Sequence, residues 1–343
     1  MRSCGVCPLK RVLVMHDRYR VDVSAETTLL RRCLAQTGER SEIRLALWAG
    51  PNITGANIVC EALMTVISLS TIPSRFDKVG PTLESLLAQD GGISEIRLHI
   101  PHYYRRFPEY DGRIPKVPEG VTVVRPDTDL GPASKVLHCA RDLRGSGRRI
   151  IFCDDDQDYP PGWARALIDG AARHPDKAIC VRGETIDRLG FAPPRDTHGL
   201  PTAVSFSKAL NMPYHARRLA QKSRGLFGQR ASGKPPRRRF RKEGRVDHFN
   251  GVCGVCVDPD WFDDACFDIP PVIWAVDDLM LSGHLARRGV PIWVLAVAAE
   301  LNPMCTEADD TTPLLHATIE DHDRRQADAA AVRHFQDTHG VWL

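Results

Sequence analysis

Arg148-Arg149-Ile150-Ile151-Phe152-Cys153-Asp154-Asp155-Asp156-Gln157-Asp158-Tyr159-Pro160-Pro161-Gly162-Trp163 is the stretch from which the rest of the chain is read. It opens with a short apolar run rich in β-formers, the pattern of a fully buried strand over 148–153. The run stops at three consecutive carboxylates. Side chains alternate across extended chain, so Asp154 and Asp156 are expected on one face and Asp155 on the other. Neighbouring carboxylates repel one another unless a cation sits between them. A hard divalent ion with oxygen ligands answers that need, and Mg²⁺ or Mn²⁺ commonly takes one or two protein carboxylates plus substrate phosphates. An acidic loop that caps the helix beginning near Pro161, with Asp158 as the cap, is the competing reading.

Working outward, 64–70 reads as a buried first strand. It is followed by Thr71-Ile72-Pro73-Ser74-Arg75 and a helix with Val79, Leu83, Leu86 and Leu87 on one face. Residues 96–100 and 121–124 read as strands, with a Tyr/Arg/Pro-rich loop between them. A helix starts at Pro132, a favourable first helical position. Beyond the acidic run come a helix carrying Trp163, Leu167, Ile168 and Ala171, strands at 178–182 and 203–207, a helix over 277–288, a strand at 292–297 and a closing helix with Ala327, Ala331 and Phe335 in register. Strands alternating with helical patterns at short spacing predict βαβ units and a mostly parallel sheet. Ligands bind such sheets at the carboxyl ends of the strands, where both the 71–75 loop and Asp154–Asp156 fall.

Four further groups are candidates for chemistry. In a nucleotide-binding sheet, the loop holding Thr71, Pro73 and Arg75 would meet base and ribose; otherwise it is an ordinary βα loop. Lys135 sits in the first turn of its helix, against the positive end of the dipole, which fits either a phosphate ligand or a solvated surface lysine. Gly251 and Gly254 would let backbone approach a ligand, or mark a bulged strand. Asp277 and Asp278 open a helix, as capping acids or as a base at a pocket edge. Cys253 and Cys256 are interleaved with valines and read as buried thiols, whereas Cys4 and Cys7 spell half a metal site without a partner pair. His316 reads as a core or solvent histidine before a metal ligand.

Composition bounds the remainder. The 343 residues suffice for one large or two modest domains. Residues 1–60 read as a poorly ordered N-terminal extension, apart from a short helix at 29–34, and 61–343 as the working domain, with a basic flexible surface loop at 208–245. Eleven cysteines, an odd number dispersed among apolar runs, fit a reducing cytoplasm. No apolar run reaches bilayer length, and no secretory signal is read at the start. The net charge of +3 conceals a local +11: residues 213–245 carry twelve Lys/Arg and one Glu, which leaves −8 elsewhere. With few aromatics and no nucleic-acid signature, that segment reads as a solvated loop open to an anionic acceptor or peripheral membrane contact, without specific nucleic-acid binding.

In order along the chain, 67–75, 131–137, 152–163, 251–257 and 276–289 resemble the GT-A glycosyltransferases of the family-two-like kind. The resemblance implies an α/β fold of GT-A type, a mostly parallel sheet flanked by helices, the nucleotide-diphospho-sugar transferase fold. It also implies a metal-dependent, inverting, hexosyltransferase-like activity that moves a sugar from a nucleotide diphosphate sugar to a hydroxyl of a saccharide or glycoconjugate. By the same resemblance Asp154 lies near ribose and sugar, Asp155 belongs to the nucleotide-sugar side, and Asp156 with Asp154 holds Mn²⁺ or Mg²⁺. Asp278, or else Asp277, is the base, and Gly251 and Gly254 lie on the acceptor side. The family slot usually reads Glu-Asp and here reads Asp-Asp. The multi-helix anchor of polymerising members has no counterpart. A nucleotidyltransferase on a similar sheet and a non-catalytic polyanion-binding protein are the alternatives.

Overall fold

A computed structural model describes residues 65–90, 92–207, 209, 211–226, 239–297 and 323–343, together with the backbone of the strand pairs at 15–16, 19–20 and 302–303. Cys4 and Cys7, the expected helix at 29–34, residues 227–238 of the basic segment and His316 lie outside the described residues. The chain divides into two units, Met1–Cys60 and Glu61–Leu343. In the first, Met15–His16 pairs antiparallel with Tyr19–Arg20.

The second unit is built on one eight-stranded sheet. Its strands are β1 (Thr65–Ser70), β2 (Ile93–His99), β3 (Val121–Val124), β4 (Arg149–Phe152), β5 (Ala178–Cys180), β6 (Gly244–Val246), β7 (Val255–Val257) and β8 (Ile292–Val294), in the order β6-β8-β5-β7-β4-β1-β2-β3. β1 to β4 are mutually parallel, and β8 is parallel to β5. Only β6 and β7 run the other way. The mostly parallel α/β sheet expected from the sequence is therefore present, with a late antiparallel strand slotted between β4 and β5.

Five helices pack into the cores beside the sheet, α1 (Gly80–Leu87), α2 (Ser134–Leu143), α3 (Trp163–Arg173), α5 (Asp277–Arg287) and α6 (Arg324–His339), and a further helix, α4 (Met212–Leu226), contributes to neither core. Alternation along the strands feeds two cores. Val66, Ile150 and Phe152 face α2, α5 and α6, while Ile67, Leu69, Ile151 and Cys153 face α1 and α3. β1, β4, β5, β7 and β8 are buried on both faces, which is why they read as continuous apolar runs, whereas β2 and β3 towards the edge are only partly buried. Cys253 and Cys256 are buried, as their spacing among valines implied.

Residues 208–245 are not one loop. Met212–Leu226 is helical, Val204–Ser205 pairs with Phe240–Lys242, and β6 follows. α4 turns little more than Tyr214 inward, so it lacks the apolar face by which a helix is recognised in sequence.

β1 sends the chain towards β2 and β3, and β4 then returns to the other side of β1. The direction of winding reverses between β1 and β4. From the carboxyl ends of those two paired strands the chain departs in opposite directions along the sheet, and the crevice outside such ends is the usual ligand position in open α/β sheets.

Candidate active site

The crevice is a pocket lined from β1 by Ser70 and Thr71, from the turn Pro73–Arg75 by Arg75, from α2 by Ser134 and Lys135, from the end of β4 by Asp154 and Asp155, and from α5 by Asp277 and Asp278. Five carboxylates face four cations there, an acidic excess. Pro73, Asp156, Gly251 and Gly254 do not line it.

The three aspartates do not follow strand alternation. β4 ends at Phe152 and the chain bends at Asp155 and Asp156, so the two turn together towards the β1 loop. Asp155 accepts hydrogen bonds from Thr71 Oγ1 at 2.5 Å and Arg75 Nη1 at 2.6 Å. Asp156 lies 3.2 Å from the same guanidinium and accepts from Gln157 Nε2 at 2.8 Å. Asp154 turns instead to Lys135, 2.5 Å away. Asp155 thereby ties the ends of β1 and β4 together. Burial pushes its carboxyl up, against the pull of Arg75 and Thr71. Asp156 rises to about 6, through burial and then the charges of Asp154 and Asp155.

Lys135 is the centre of the arrangement and not a surface lysine: it is 5% exposed. Its ammonium lies 2.5 Å from Asp154 and 2.9 Å from Asp277. Burial alone would lower its pKa, but the charges of Asp154, Asp277 and Asp278 outweigh it and hold the group well above the usual lysine range. Adjacent residues on a helix point in different directions. Asp277 takes Lys135, and Asp278 accepts the backbone N–H of Gly251 at 2.9 Å. Burial, then the neighbouring charge of Asp277, raises Asp278 to about 7. A half-buried carboxylate shifted so far, bordering a pocket, is equipped to accept a proton near neutral pH.

The two glycines act on these side chains. A Cβ on Gly251 would stand 2.7 Å from Asp278 Oδ1 and 3.1 Å from Lys135 Nζ, so only glycine admits both. Gly254 has φ +90°, and a Cβ there would stand 2.3 Å from the Trp163 ring. Trp163 Nε1 in turn donates to Cys253 O at 2.8 Å. Gly254→Ala is expected to cost about 3 kcal/mol through overpacking and the left-handed backbone. Urea denaturation checks this, and an unchanged midpoint would remove the close-packing role from Gly254.

Several site residues carry no sequence signal of their own. Tyr159, fully buried, receives the Asp154 N–H at 3.0 Å and reaches Val252 O at 3.1 Å, fixing the acidic bend to the 250–254 turn. Tyr104 donates to Thr71 O at 2.9 Å, while Phe107, Trp274 and Arg324 complete the pocket wall. The Tyr/Arg-rich composition after β2 was the one available hint for Tyr104 and Phe107.

Among the described residues no group of three or more His, Cys, Asp or Glu side chains is arranged to hold a metal ion. The acids at the end of β4 suit a hard dication in a different way. Asp154 and Asp156 offer oxygen donors, though Lys135 and Arg75 now engage them; burial first and then the charges of Asp154 and Asp155 lift Asp156, the second being a strain a cation relieves, and phosphate oxygens of a ligand would complete the shell. Among the described residues, no helix is long and apolar enough to cross a membrane.

No family model and no curated protein matches the sequence. Among solved structures the chain is similar to S. aureus TarS 1–349, at 12% identity over 70% of this chain and 60% of that one, with a TM-score of 0.36. It is also similar to GalNAc-T7 crystallised with UDP, GalNAc and Mn²⁺, at 12% identity, 70% and 44% coverage and a TM-score of 0.39. A third, a mycobacterial protein, shares 13% identity over 81% of this chain and 75% of that one, with a TM-score of 0.36. The chain thus spans less than two thirds of the first two.

Proposed function

We propose that the Glu61–Leu343 unit is a GT-A-type glycosyltransferase that moves a sugar from a nucleotide diphosphate sugar to a hydroxyl acceptor with inversion. One observation carries this reading: Lys135 is held between Asp154 and Asp277, with Asp278 beside them, in a single pocket where the sheet's winding reverses.

The reaction forms a bond between the acceptor oxygen and the anomeric carbon and breaks the bond from that carbon to the diphosphate. Asp278 takes the acceptor proton, and Gly251 N–H holds the carboxylate in place as it does so. Lys135 brings positive charge to the departing diphosphate, whose accumulating charge is the main electrostatic demand of the step. Asp277 and Asp154 keep that ammonium aimed and fully protonated. Thr71 and Arg75, held by Asp155, shape the floor for the nucleoside. Asp154 and Asp156 would hold a divalent ion, Mn²⁺ or Mg²⁺, which when bound would supply further positive charge to the leaving group.

The test is thermal unfolding with a panel of nucleoside diphosphates and their sugars, with and without Mn²⁺. Stabilisation that needs the metal and disappears in Asp156→Ala is expected. Stabilisation indifferent to both would overturn the reading. Pyrophosphate release from a nucleoside triphosphate and a sugar phosphate would replace it with the nucleotidyltransferase alternative.

A further inference from the structure

α4 is amphipathic in the opposite sense to a core helix. Tyr214 is its buried anchor, and Asn211 fixes its first turn by accepting the Tyr214 N–H on its side chain at 3.2 Å. Met212 and Leu219 are each 70% exposed. Seven residues apart, they fall within about 20° of each other around the helix axis, on the side away from Tyr214. Cations lie on both sides of the helix between this ridge and the Tyr214 side. At about 100° per residue, Arg217 and Arg224 lie some 120–140° round from Met212 in one direction and Lys222 about 80° in the other. All three are exposed, and among the described residues no carboxylate pairs with them. The one acid of the surrounding 213–245 segment, Glu243, is engaged by Arg173 at 3.0 Å.

We propose that α4 lies on an anionic lipid surface, with Met212 and Leu219 entering the acyl boundary and Arg217, Lys222 and Arg224 at the headgroups. An outward apolar ridge flanked by cations is the geometry of an interfacial helix. A nucleic acid would be met by cations along the centre of the face, and that centre is apolar. A second copy of the chain would bring the same local +11 and be repelled. The helix is also too short and too charged to cross a bilayer. This inference rests on α4 alone and is independent of the donor pocket.

Flotation of the full chain with vesicles tests it. Binding is expected to vesicles containing about one-third phosphatidylglycerol in phosphatidylcholine and not to phosphatidylcholine alone, and to fade at about 0.5 M salt. Arg217→Glu with Arg224→Glu should lower the bound fraction about tenfold or more. Leu219→Asp should weaken binding with every cation still in place, and none of the variants should shift thermal unfolding, because the replaced side chains are exposed. Equal binding to neutral vesicles, or no vesicle binding, overturns the proposal. So does retention of duplex DNA or RNA that the charge reversals abolish and Leu219→Asp leaves intact.

Discussion

Lys135→Met is expected to destabilise the protein by about 3–5 kcal/mol, lowering its thermal midpoint by about 10 °C, because it strands carboxylates that one buried ammonium now compensates. Asp154 and Asp277 would lose their partner at 2.5 and 2.9 Å, and Asp278 a nearby positive charge. The loss should depend on pH in a definite direction. Acid protonates Asp278 and relieves the repulsion, so the gap between variant and wild type should be larger at pH 8 than at pH 5. A calorimetric series across that range measures it. A variant as stable as wild type at every pH would mean that Lys135 is not the electrostatic keystone of the site. Removing a carboxylate as well, as in Lys135→Met with Asp277→Asn, should restore part of the lost stability.

Asp278→Asn is expected to abolish transfer, by about 10³-fold in kcat, while nucleotide binding changes little. The amide keeps the shape and can still receive the Gly251 N–H, but it cannot take a proton. In the wild type the base must be ionised, so kcat should rise with pH and level off above about 7, where Asp278 titrates. Stability should move in the opposite direction. The carboxyl is raised from 3.8 to about 7, so the folded chain holds this proton more tightly than the unfolded one. The stabilisation from this group is complete below the unfolded value and is lost as pH rises through the folded one. Relative to Asp278→Asn, the wild type should therefore lose thermal stability between about pH 4 and pH 7. An Asp278→Asn enzyme that keeps wild-type kcat would return the base to Asp277, or to neither residue.

The strands were legible wherever an apolar run ended abruptly. Val121–Val124 falls at its expected limits, and β1 and β4 within a residue of theirs. In β1 and β4 such runs register burial on both faces, which depends on local composition, while Val121–Val124 is only half-buried. What sequence could not show is pairing between distant segments. β7 was visible as a valine-rich run, but nothing local specifies that it lies antiparallel between β4 and β5. The pocket wall of Tyr104, Trp274 and Arg324 was hidden for the same reason, since only topology assembles it. At the candidate site the residue types were readable and their orientations were not. Strict alternation paired Asp154 with Asp156, whereas a bend pairs Asp155 with Asp156 on Arg75. Lys135 could be read as ligand or as surface charge, and its burial follows from acids brought in by β4 and α5. α4 escaped notice because its apolar residues point away from the protein.

The antiparallel entry of β7 has a consequence for biosynthesis. A ribosome delivers Ile150, Ile151 and Phe152 long before Val255, Cys256 and Val257, the residues that pair with them. During that interval the nascent chain carries β4 as an open border next to β1, apolar from Ile150 to Phe152, the kind of border that recruits foreign strands. Truncation products ending ahead of Val255 should accordingly be insoluble, and chaperone dependence should be greatest while that gap in the sheet is still unfilled.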